Sequence, residues 1–252
     1  MMDYNPFTLQ GKKILVTGAS SGIGRSIAIE CSRMGACVYL TGRNMDALLN
    51  TIEMMNKGDH KIFPADFEDE TSIKQMVDSL PQLNGVVHNA GRLDRMLCKA
   101  AKSEKIQLLF KVNFEGPALL QRYLLKANKI EREGSIVFIS SRAPFAPSIG
   151  NAFYSATKGA ILGYAKTLAL EMAPKMIRVN CVCPAMVWTD LAQRDAEQMG
   201  VNYQEIQQNY PLKRFGSPED VAFLTIYLLS DASKWMTGSD IDITGGGELT
   251  LV

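Results

Sequence analysis

A tyrosine and a lysine four residues apart, Tyr154 and Lys158, form a candidate acid–base pair. Residues at this spacing lie on one face of a helix. A free tyrosine has a pKa of about 10, too high for efficient proton transfer near neutrality, but a nearby ammonium favours the phenolate and lowers that pKa. The same spacing also occurs by chance on many helices, so the pair needs support from other residues.

Ser141 stands thirteen residues before Tyr154, just after a predicted strand at Ser135–Ile139. A serine there could donate a hydrogen bond to a substrate oxygen and stabilise charge developing on it. The carboxyl ends of the strands in a doubly wound sheet meet at the ligand crevice, which favours this position. Ser141 could equally be a turn serine, and Ser140 competes with it for the role.

A glycine-rich segment, Thr17-Gly18-Ala19-Ser20-Ser21-Gly22-Ile23-Gly24, separates a predicted strand at Lys13–Thr17 from a predicted helix at Ile23–Met34. Glycines let the backbone approach a pyrophosphate, and the helix N-terminus supplies free N–H groups and a favourable dipole. A plain strand–helix turn is the alternative, but the flanking elements favour a dinucleotide site. Three residues separate the first two glycines, unlike the tighter G-x-G-x-x-G form.

The residues after the second predicted strand, Cys37–Leu40, bear on the choice between NAD and NADP. An acidic residue there usually holds the adenosine ribose of NAD, whereas an arginine suits the 2′-phosphate of NADP. The sequence has Arg43 there and no carboxylate before Asp46. A guanidinium can bind phosphate through two hydrogen bonds, and Arg25 could contribute. Arg43 could instead cap a surface helix, but we expect NADP(H) rather than NAD(H).

Strand-like and helix-like segments alternate along the chain. Further predicted strands are Lys61–Phe63, Gly85–His88, Ile177–Val182 and Ile241–Ile243. Further predicted helices are Asp46–Met55, Thr71–Leu80, Ile106–Leu125 (bent at Gly116-Pro117), Tyr154–Met172, Asp190–Gln208 and Pro218–Leu229, the last capped by Ser217. Apolar strands between amphipathic helices predict an α/β fold: a doubly wound Rossmann-type parallel sheet of about seven strands with helices on both faces. We expect one domain over residues 1–252.

Composition excludes several classes of function. The formal net charge is +1, so no overall basic field attracts nucleic acid. Cys181 and Cys183 would share a strand face, but no second pair or histidine cluster joins them, so we expect buried, reduced thiols and no metal site. We see no signal peptide and no apolar run long enough to span a bilayer, which predicts a cytoplasmic protein without membrane contact.

Taken together, these motifs resemble the short-chain dehydrogenase/reductase family over nearly the whole chain. Thr17 to Gly24 matches its T-G-x-x-x-G-x-G loop, and Asn89-Ala90-Gly91 matches its N-A-G turn. Ser141, Tyr154 and Lys158 match its S…Y-x-x-x-K set, and Asn113 matches its fourth catalytic position. Pro184 to Thr189 resembles its P-G-x-V-x-T segment, and the segments 211–222 and 238–246 resemble its C-terminal motifs.

Two residues depart from the family pattern. His88 stands where asparagine is common, and Ala185 replaces the usual glycine after Pro184. We expect His88 to be structural rather than catalytic. Ala185 removes some backbone freedom beside the nicotinamide. Neither departure affects the four catalytic positions.

The resemblance implies roles for the site residues. Tyr154 would protonate a carbonyl oxygen during reduction or accept the proton of an alcohol during oxidation, while Lys158 would lower its pKa and bind the nicotinamide ribose. Ser141 would orient the substrate oxygen, and Asn113 would hold a water that links Lys158 to solvent. The residues expected to bind the cofactor are Gly18, Ser20, Ser21, Gly22, Ile23, Gly24, Arg43, Asp66, Phe67, Asn89, Ala90, Gly91, Tyr154, Lys158, Pro184, Val187 and Thr189.

The motif arrangement is similar to that of 3-oxoacyl-(acyl-carrier-protein) reductases, which implies NADP(H)-dependent reduction of a small-molecule or carrier-bound carbonyl, or the reverse. A sugar, polyol or steroid alcohol dehydrogenase of the same family is the alternative, and a non-catalytic NADP(H)-sensing protein is a third hypothesis. An acidic carrier would require basic residues at the site mouth. Arg92, Arg95, Lys99, Lys102 and Lys105 could supply them, or could form a solvated helix face.

The resemblance also implies a homotetramer or homodimer. Leu162, Ala165, Leu168 and Ala169 could form the contact surface or pack on their own sheet, and the tail Leu249–Val252 could pack on a neighbour. Phe145, Met186, Trp188 and Met199 suggest an apolar lining of the substrate pocket, or could instead be core or lid residues.

Overall fold

A seven-stranded parallel sheet forms the centre of the molecule in the computed structural model, which describes residues 4–247. The strand order is β3-β2-β1-β4-β5-β6-β7, which confirms the predicted doubly wound α/β fold. The strands are β1 Lys13–Thr17, β2 Cys37–Thr41, β3 Lys61–Ile62, β4 Leu83–His88, β5 Ile130–Ile139, β6 Arg178–Pro184 and β7 Asp240–Ile243. The order reverses between β1 and β4, and such a switch point opens a ligand crevice at the carboxyl ends of the strands.

Helices cover both faces of this sheet and create two hydrophobic cores. One core lies under α3, α5 and α6, and the other under α1, α2 and α9. The helix bounds are α1 Gly22–Arg33, α2 Met45–Glu53, α3 Glu70–Ser79, α4 Ser103–Phe110, α5 Gly116–Lys126, α6 Ala152–Met172, α7 Asp190–Met199, α8 Tyr203–Ile206 and α9 Pro218–Leu229. Ser217 and Asp220 form a reciprocal capping box at the start of α9, which confirms the predicted cap.

Two long predicted helices are interrupted. A π-helical turn at Lys111–Glu115 separates α4 from α5, so the break falls before Gly116-Pro117 rather than at it. Pro117 stands in the first turn of α5, where a missing N–H is tolerated. The predicted helix Asp190–Gln208 is broken at Gly200. This residue has a φ of +62°, in a region that glycine adopts readily, and a second helix, α8, follows.

The apolar residues of α6 considered for subunit contacts, Leu162, Ala165, Leu168 and Ala169, are buried against the sheet of their own chain. They are therefore core residues, and the alternative that they form a subunit surface was wrong. The tail Leu249–Val252 and the side chain of Met199 lie outside the described residues. No helix within residues 4–247 is long and apolar enough to span a bilayer.

Candidate functional site

The glycine-rich loop leaves β1 and enters α1 with the backbone tightly folded. Gly18 has a φ of +66°, and a Cβ there would lie 2.9 Å from the Ala90 Cα. A Cβ on Gly24 would collide with the carbonyl oxygen of Gly18 and the side-chain amide of Asn89. Both positions therefore require glycine, which lets the loop pack closely against the turn after β4.

Asn89 and Thr17 hold this loop against the turn that follows β4. The Thr17 Oγ1 accepts hydrogen bonds from the backbone N–H groups of Asn89 and Ala90, both at 2.9 Å. The Asn89 Nδ2 donates in return to the Thr17 carbonyl oxygen at 3.0 Å. A rigid, glycine-lined loop at the start of α1 fits a dinucleotide pyrophosphate, because its backbone can approach closely beside the positive end of the helix dipole.

A cavity of about 790 Å³ extends along the carboxyl ends of the strands from this loop. Of the residues expected to form the site, those lining it are Gly18, Ser20, Ser21, Gly22, Ile23, Arg43, Asp66, Phe67, Asn89, Ala90, Gly91, Ser141, Tyr154, Lys158, Pro184, Val187 and Thr189. Gly24 and Asn113 lie behind this lining, where Gly24 permits the loop to close. The sequence prediction thus converges on one cavity.

Tyr154 lies in the first turn of α6, and Lys158 follows one turn later. The Lys158 Nζ is 5.8 Å from the centre of the Tyr154 ring and donates a hydrogen bond to the Ile139 carbonyl oxygen at 2.9 Å. Burial lowers the pKa of Lys158 to about 8, because removal from water disfavours the ammonium. A buried positive charge therefore lies beside the phenol when Lys158 is protonated.

The two serines after β5 have different environments. Ser140 is buried, and its Oγ donates to the Lys158 carbonyl oxygen at 3.0 Å within α6. The Ser141 Oγ accepts from the Ala143 N–H at 3.1 Å, which leaves its hydroxyl proton available to a ligand in the cavity. Ser140 thus commits its hydroxyl proton to the backbone of α6, whereas Ser141 uses its oxygen as an acceptor.

Asn113 lies inside the π-helical turn and is buried. Its Oδ1 accepts from the Arg92 N–H at 2.8 Å, and its Nδ2 donates to the Arg92 carbonyl oxygen at 2.9 Å and to the Thr157 Oγ1 at 3.1 Å. The amide therefore joins the loop after β4 to the helix that carries Tyr154 and Lys158. π-Helical turns often occur at functional sites, and this one places Asn113 behind Lys158.

Arg43 lines the opposite end of the cavity, next to Asp66 and Phe67. Its guanidinium forms an ion pair with Glu68, with an Nη1–Oε1 distance of 2.9 Å. Arg25 was also considered for phosphate binding, but its guanidinium bonds to the Ser20 carbonyl oxygen and the Thr51 Oγ1. Arg25 thus supports the glycine-rich loop from behind.

His88 is buried in the sheet. Its ring stacks on Phe138 with centroids 4.4 Å apart, and its Nε2 is 2.9 Å from the Gln121 Oε1. Burial lowers its pKa to about 4, so the ring is neutral near neutral pH. These contacts agree with a structural role.

The cysteines fall into two groups. Cys31, Cys181 and Cys183 are buried, as expected, whereas Cys37 is partly exposed and Cys98 is exposed. Burial raises the pKa of Cys183 to about 12 and also raises that of Cys181, so both are thiols rather than thiolates.

Around α7 and α8 the cavity is lined by apolar and aromatic residues: Met186, Leu191, Tyr203, Ile206, Tyr210 and Phe215. Met186 was expected there. Trp188 packs instead on Phe215, with ring centroids 6.0 Å apart, and Phe145 is 54% exposed beside Arg142. Tyr203 was missed because the segment Asp190–Gln208 was interpreted as one polar helix. Tyr210 and Phe215 follow that segment and were not assigned to the pocket, although their aromatic character was visible.

The candidate basic patch is divided. Arg92 and Arg95 line the cavity, whereas Lys99, Lys102 and Lys105 are exposed, and Lys105 pairs with Asp94 at 3.6 Å. Two arginines therefore contribute to the cavity wall, and the lysines form a solvated surface.

Comparison with known proteins places the chain in a family. A family model described as enoyl-(acyl carrier protein) reductase matches residues 18–248. The chain is 35% identical over 246 residues to 3-oxoacyl-(acyl-carrier-protein) reductase of Aquifex aeolicus, covering 94% of this chain and 98% of that protein. It is 34% identical over 241 residues to L-xylulose reductase of Caenorhabditis elegans, covering 93% of this chain and 95% of that protein.

A solved structure of an actinorhodin polyketide ketoreductase variant with NADPH superposes with a TM-score of 0.88 and 27% sequence identity, covering 94% of this chain and 97% of that chain. The chain belongs to the short-chain dehydrogenase/reductase family and is an oxidoreductase.

Proposed function

We propose that this protein is an NADP(H)-dependent reductase that converts a carbonyl to a secondary alcohol, or catalyses the reverse reaction. One observation carries the proposal: the Ser141 hydroxyl, the Tyr154 phenol and the buried Lys158 ammonium meet in the cavity that the glycine-rich loop enters. A hydroxyl to orient an oxygen, a phenol to exchange its proton and a cation to favour the phenolate are the groups that carbonyl reduction requires.

Each residue has a distinct task. Tyr154 donates a proton to the carbonyl oxygen during reduction and accepts the alcohol proton during oxidation. Lys158 stabilises the phenolate through its charge, which acts strongly because the ammonium is buried. Ser141 donates a hydrogen bond to the substrate oxygen as negative charge develops there. Asn113 fixes the loop after β4 through its side chain and would hold a water that links Lys158 to solvent.

Hydride transfer is the chemistry that a bound nicotinamide cofactor supplies. The loop from Gly18 to Gly24 would hold its pyrophosphate, and Asp66 and Phe67 would contact the adenine end. The turn Asn89–Gly91, together with Pro184, Val187 and Thr189, would hold the nicotinamide half. Arg43 would bind a 2′-phosphate, which favours NADP(H) over NAD(H).

A carrier-bound 3-oxoacyl group is the leading substrate, and its support is twofold. Arg92 and Arg95 line the cavity wall, where positive charge favours an acidic carrier. The Aquifex aeolicus relative is named as a reductase of that substrate. Reduction of a sugar ketone is the second candidate, since the Caenorhabditis elegans relative is named L-xylulose reductase. A homodimer or homotetramer is the expected assembly.

A substrate panel tests the proposal. Oxidation of NADPH and NADH is followed with 3-oxoacyl thioesters, free ketones and ketoses as substrates. Turnover on at least one carbonyl supports the reductase. Tight NADPH binding without turnover on any of them would favour the non-catalytic sensor, which has no use for the acid–base residues.

A further inference from the structure

Arg43 lines the cavity, as do Asp66 and Phe67, and it forms an ion pair with Glu68, the residue after Phe67. Arg43 follows β2 and is 65% exposed, whereas Glu68 follows β3 and is 33% exposed. The contact joins one guanidinium nitrogen to one carboxylate oxygen. The cation proposed to bind a 2′-phosphate therefore already has an anionic partner.

Glu68 is held in place by a tight turn. Its N–H donates to the Asp66 Oδ1 at 3.0 Å, and the Asp69 N–H donates to the Asp66 carbonyl oxygen at 3.1 Å. The Ser72 Oγ accepts from the Asp66 N–H at 3.0 Å and ties this turn to α3. The carboxylate thus extends from a fixed backbone position towards Arg43.

A phosphate and a carboxylate compete for the same guanidinium. A phosphate monoester carries a charge of about −1.5 to −2 at neutral pH, so a nearby carboxylate repels it. A ribose that lacks the phosphate presents a 2′-hydroxyl, and an acidic residue is the usual partner of that hydroxyl. Glu68 therefore disfavours NADP(H) relative to NAD(H).

We propose that Glu68 sets the cofactor preference of this protein by opposing Arg43, so that the site accepts NAD(H) as well as NADP(H). The carboxylate would weaken NADP(H) binding by repelling the 2′-phosphate and by competing with it for Arg43. This inference rests on the proposed nicotinamide site and assigns the balance between the two cofactors to one pair of side chains.

Direct binding measurements test it. Dissociation constants of NADPH and NADH are measured by calorimetry for the wild type, Glu68→Gln and Arg43→Gln. Glu70→Gln is the matched control. It removes a carboxylate two residues from Glu68 that accepts a hydrogen bond from the Tyr123 hydroxyl and not from Arg43. All proteins are compared at low and high salt.

Glu68→Gln is expected to raise the preference for NADPH over NADH by about tenfold, the change that ~1.4 kcal/mol produces. Glu70→Gln is expected to leave the preference nearly unchanged, and high salt is expected to reduce the effect of Glu68→Gln because the pair is partly exposed. An unchanged or reduced NADPH preference in Glu68→Gln would overturn the inference, since Glu68 would then only orient Arg43. A different result would show that the assignment of Arg43 to the 2′-phosphate is wrong: Arg43→Gln would bind NADPH as tightly as the wild type.

Discussion

The Lys158 ammonium lies 5.8 Å from the centre of the Tyr154 ring, buried and bonded to the Ile139 carbonyl oxygen. Its hydrogen bond fixes the amine in position, and its burial limits screening by water. The lysine therefore acts on the phenol through charge at a fixed distance. The same burial makes the ammonium costly for the folded state, so catalysis and stability are opposed at this residue.

Removal of the phenol hydroxyl tests the acid–base role. Tyr154→Phe is expected to lower kcat by about 10²- to 10⁴-fold, because general acid–base catalysis contributes that much. NADPH affinity, measured by fluorescence titration, is expected to be nearly unchanged. Tyr164→Phe is the matched control on the same helix, since its ring packs against Phe114 and Phe138 in the core. Equal turnover by Tyr154→Phe and the control would remove Tyr154 from the mechanism.

Replacement of the buried ammonium is expected to stabilise the protein while it abolishes activity. The fall of the Lys158 pKa from 10.5 to about 8 corresponds to ~3 kcal/mol of unfavourable burial. In Lys158→Met, removal of this cost is offset by about 1 kcal/mol, because the hydrogen bond to the Ile139 carbonyl oxygen is lost. The variant is expected to gain ~2 kcal/mol in denaturant unfolding near neutral pH. Lys166→Met, which removes an exposed partner of Asp240, is expected to give no gain.

The pH dependence of this gain follows from the direction of the shift. Below pH 8 the lysine is charged in both the folded and unfolded states, and the cost of burial is fully present. Between pH 8 and 10.5 the unfolded state binds more protons than the folded state, so wild-type stability rises relative to the variant. The advantage of the variant is therefore expected to shrink as pH rises through this window and to reverse at its upper end, where only the lost bond to Ile139 remains. A constant difference would show that burial of the charge is not its cause.

Residue types and strand–helix alternation were sufficient to predict the sheet, the glycine-rich loop and the candidates Ser141, Tyr154 and Lys158. The other site residues, among them Asn113 and Asp66, were predicted only through the resemblance to the family. Sequence patterns could not predict the π-helical turn, because that turn depends on contacts between distant residues. Asn113 bonds to Arg92 after β4 and to Thr157 on α6, and no local spacing shows either partner. The ion pair between Arg43 and Glu68 was missed for the same reason, since it joins the loops that follow β2 and β3.

The choice between adjacent serines also required the structure, and it leads to a paired test. Ser141→Ala is expected to lower kcat by about 10²- to 10³-fold, the usual cost of losing one donor to a developing oxyanion. Ser140→Ala loses a buried bond to the Lys158 carbonyl oxygen and is expected to cost ~1 kcal/mol of stability with little change in kcat. Steady-state kinetics and denaturant unfolding of both variants distinguish the roles. The reverse pattern would assign the substrate contact to Ser140.

Gly24 and Gly163 provide the final comparison, because alanine meets opposite surroundings at the two positions. A Cβ on Gly24 collides with Gly18 and Asn89, whereas one on Gly163, within α6, meets no atom within 4 Å. Gly24→Ala is expected to cost about 1–3 kcal/mol of stability through overpacking and to weaken NADPH binding, since the loop must open to admit the methyl group. Gly163→Ala is expected to add about 0.5–1 kcal/mol, the difference in helix propensity between the two residues, and to leave NADPH binding unchanged. Thermal unfolding and NADPH titration of both variants measure the changes in stability and affinity. Tight NADPH binding by Gly24→Ala would show that close packing of the loop does not position the pyrophosphate.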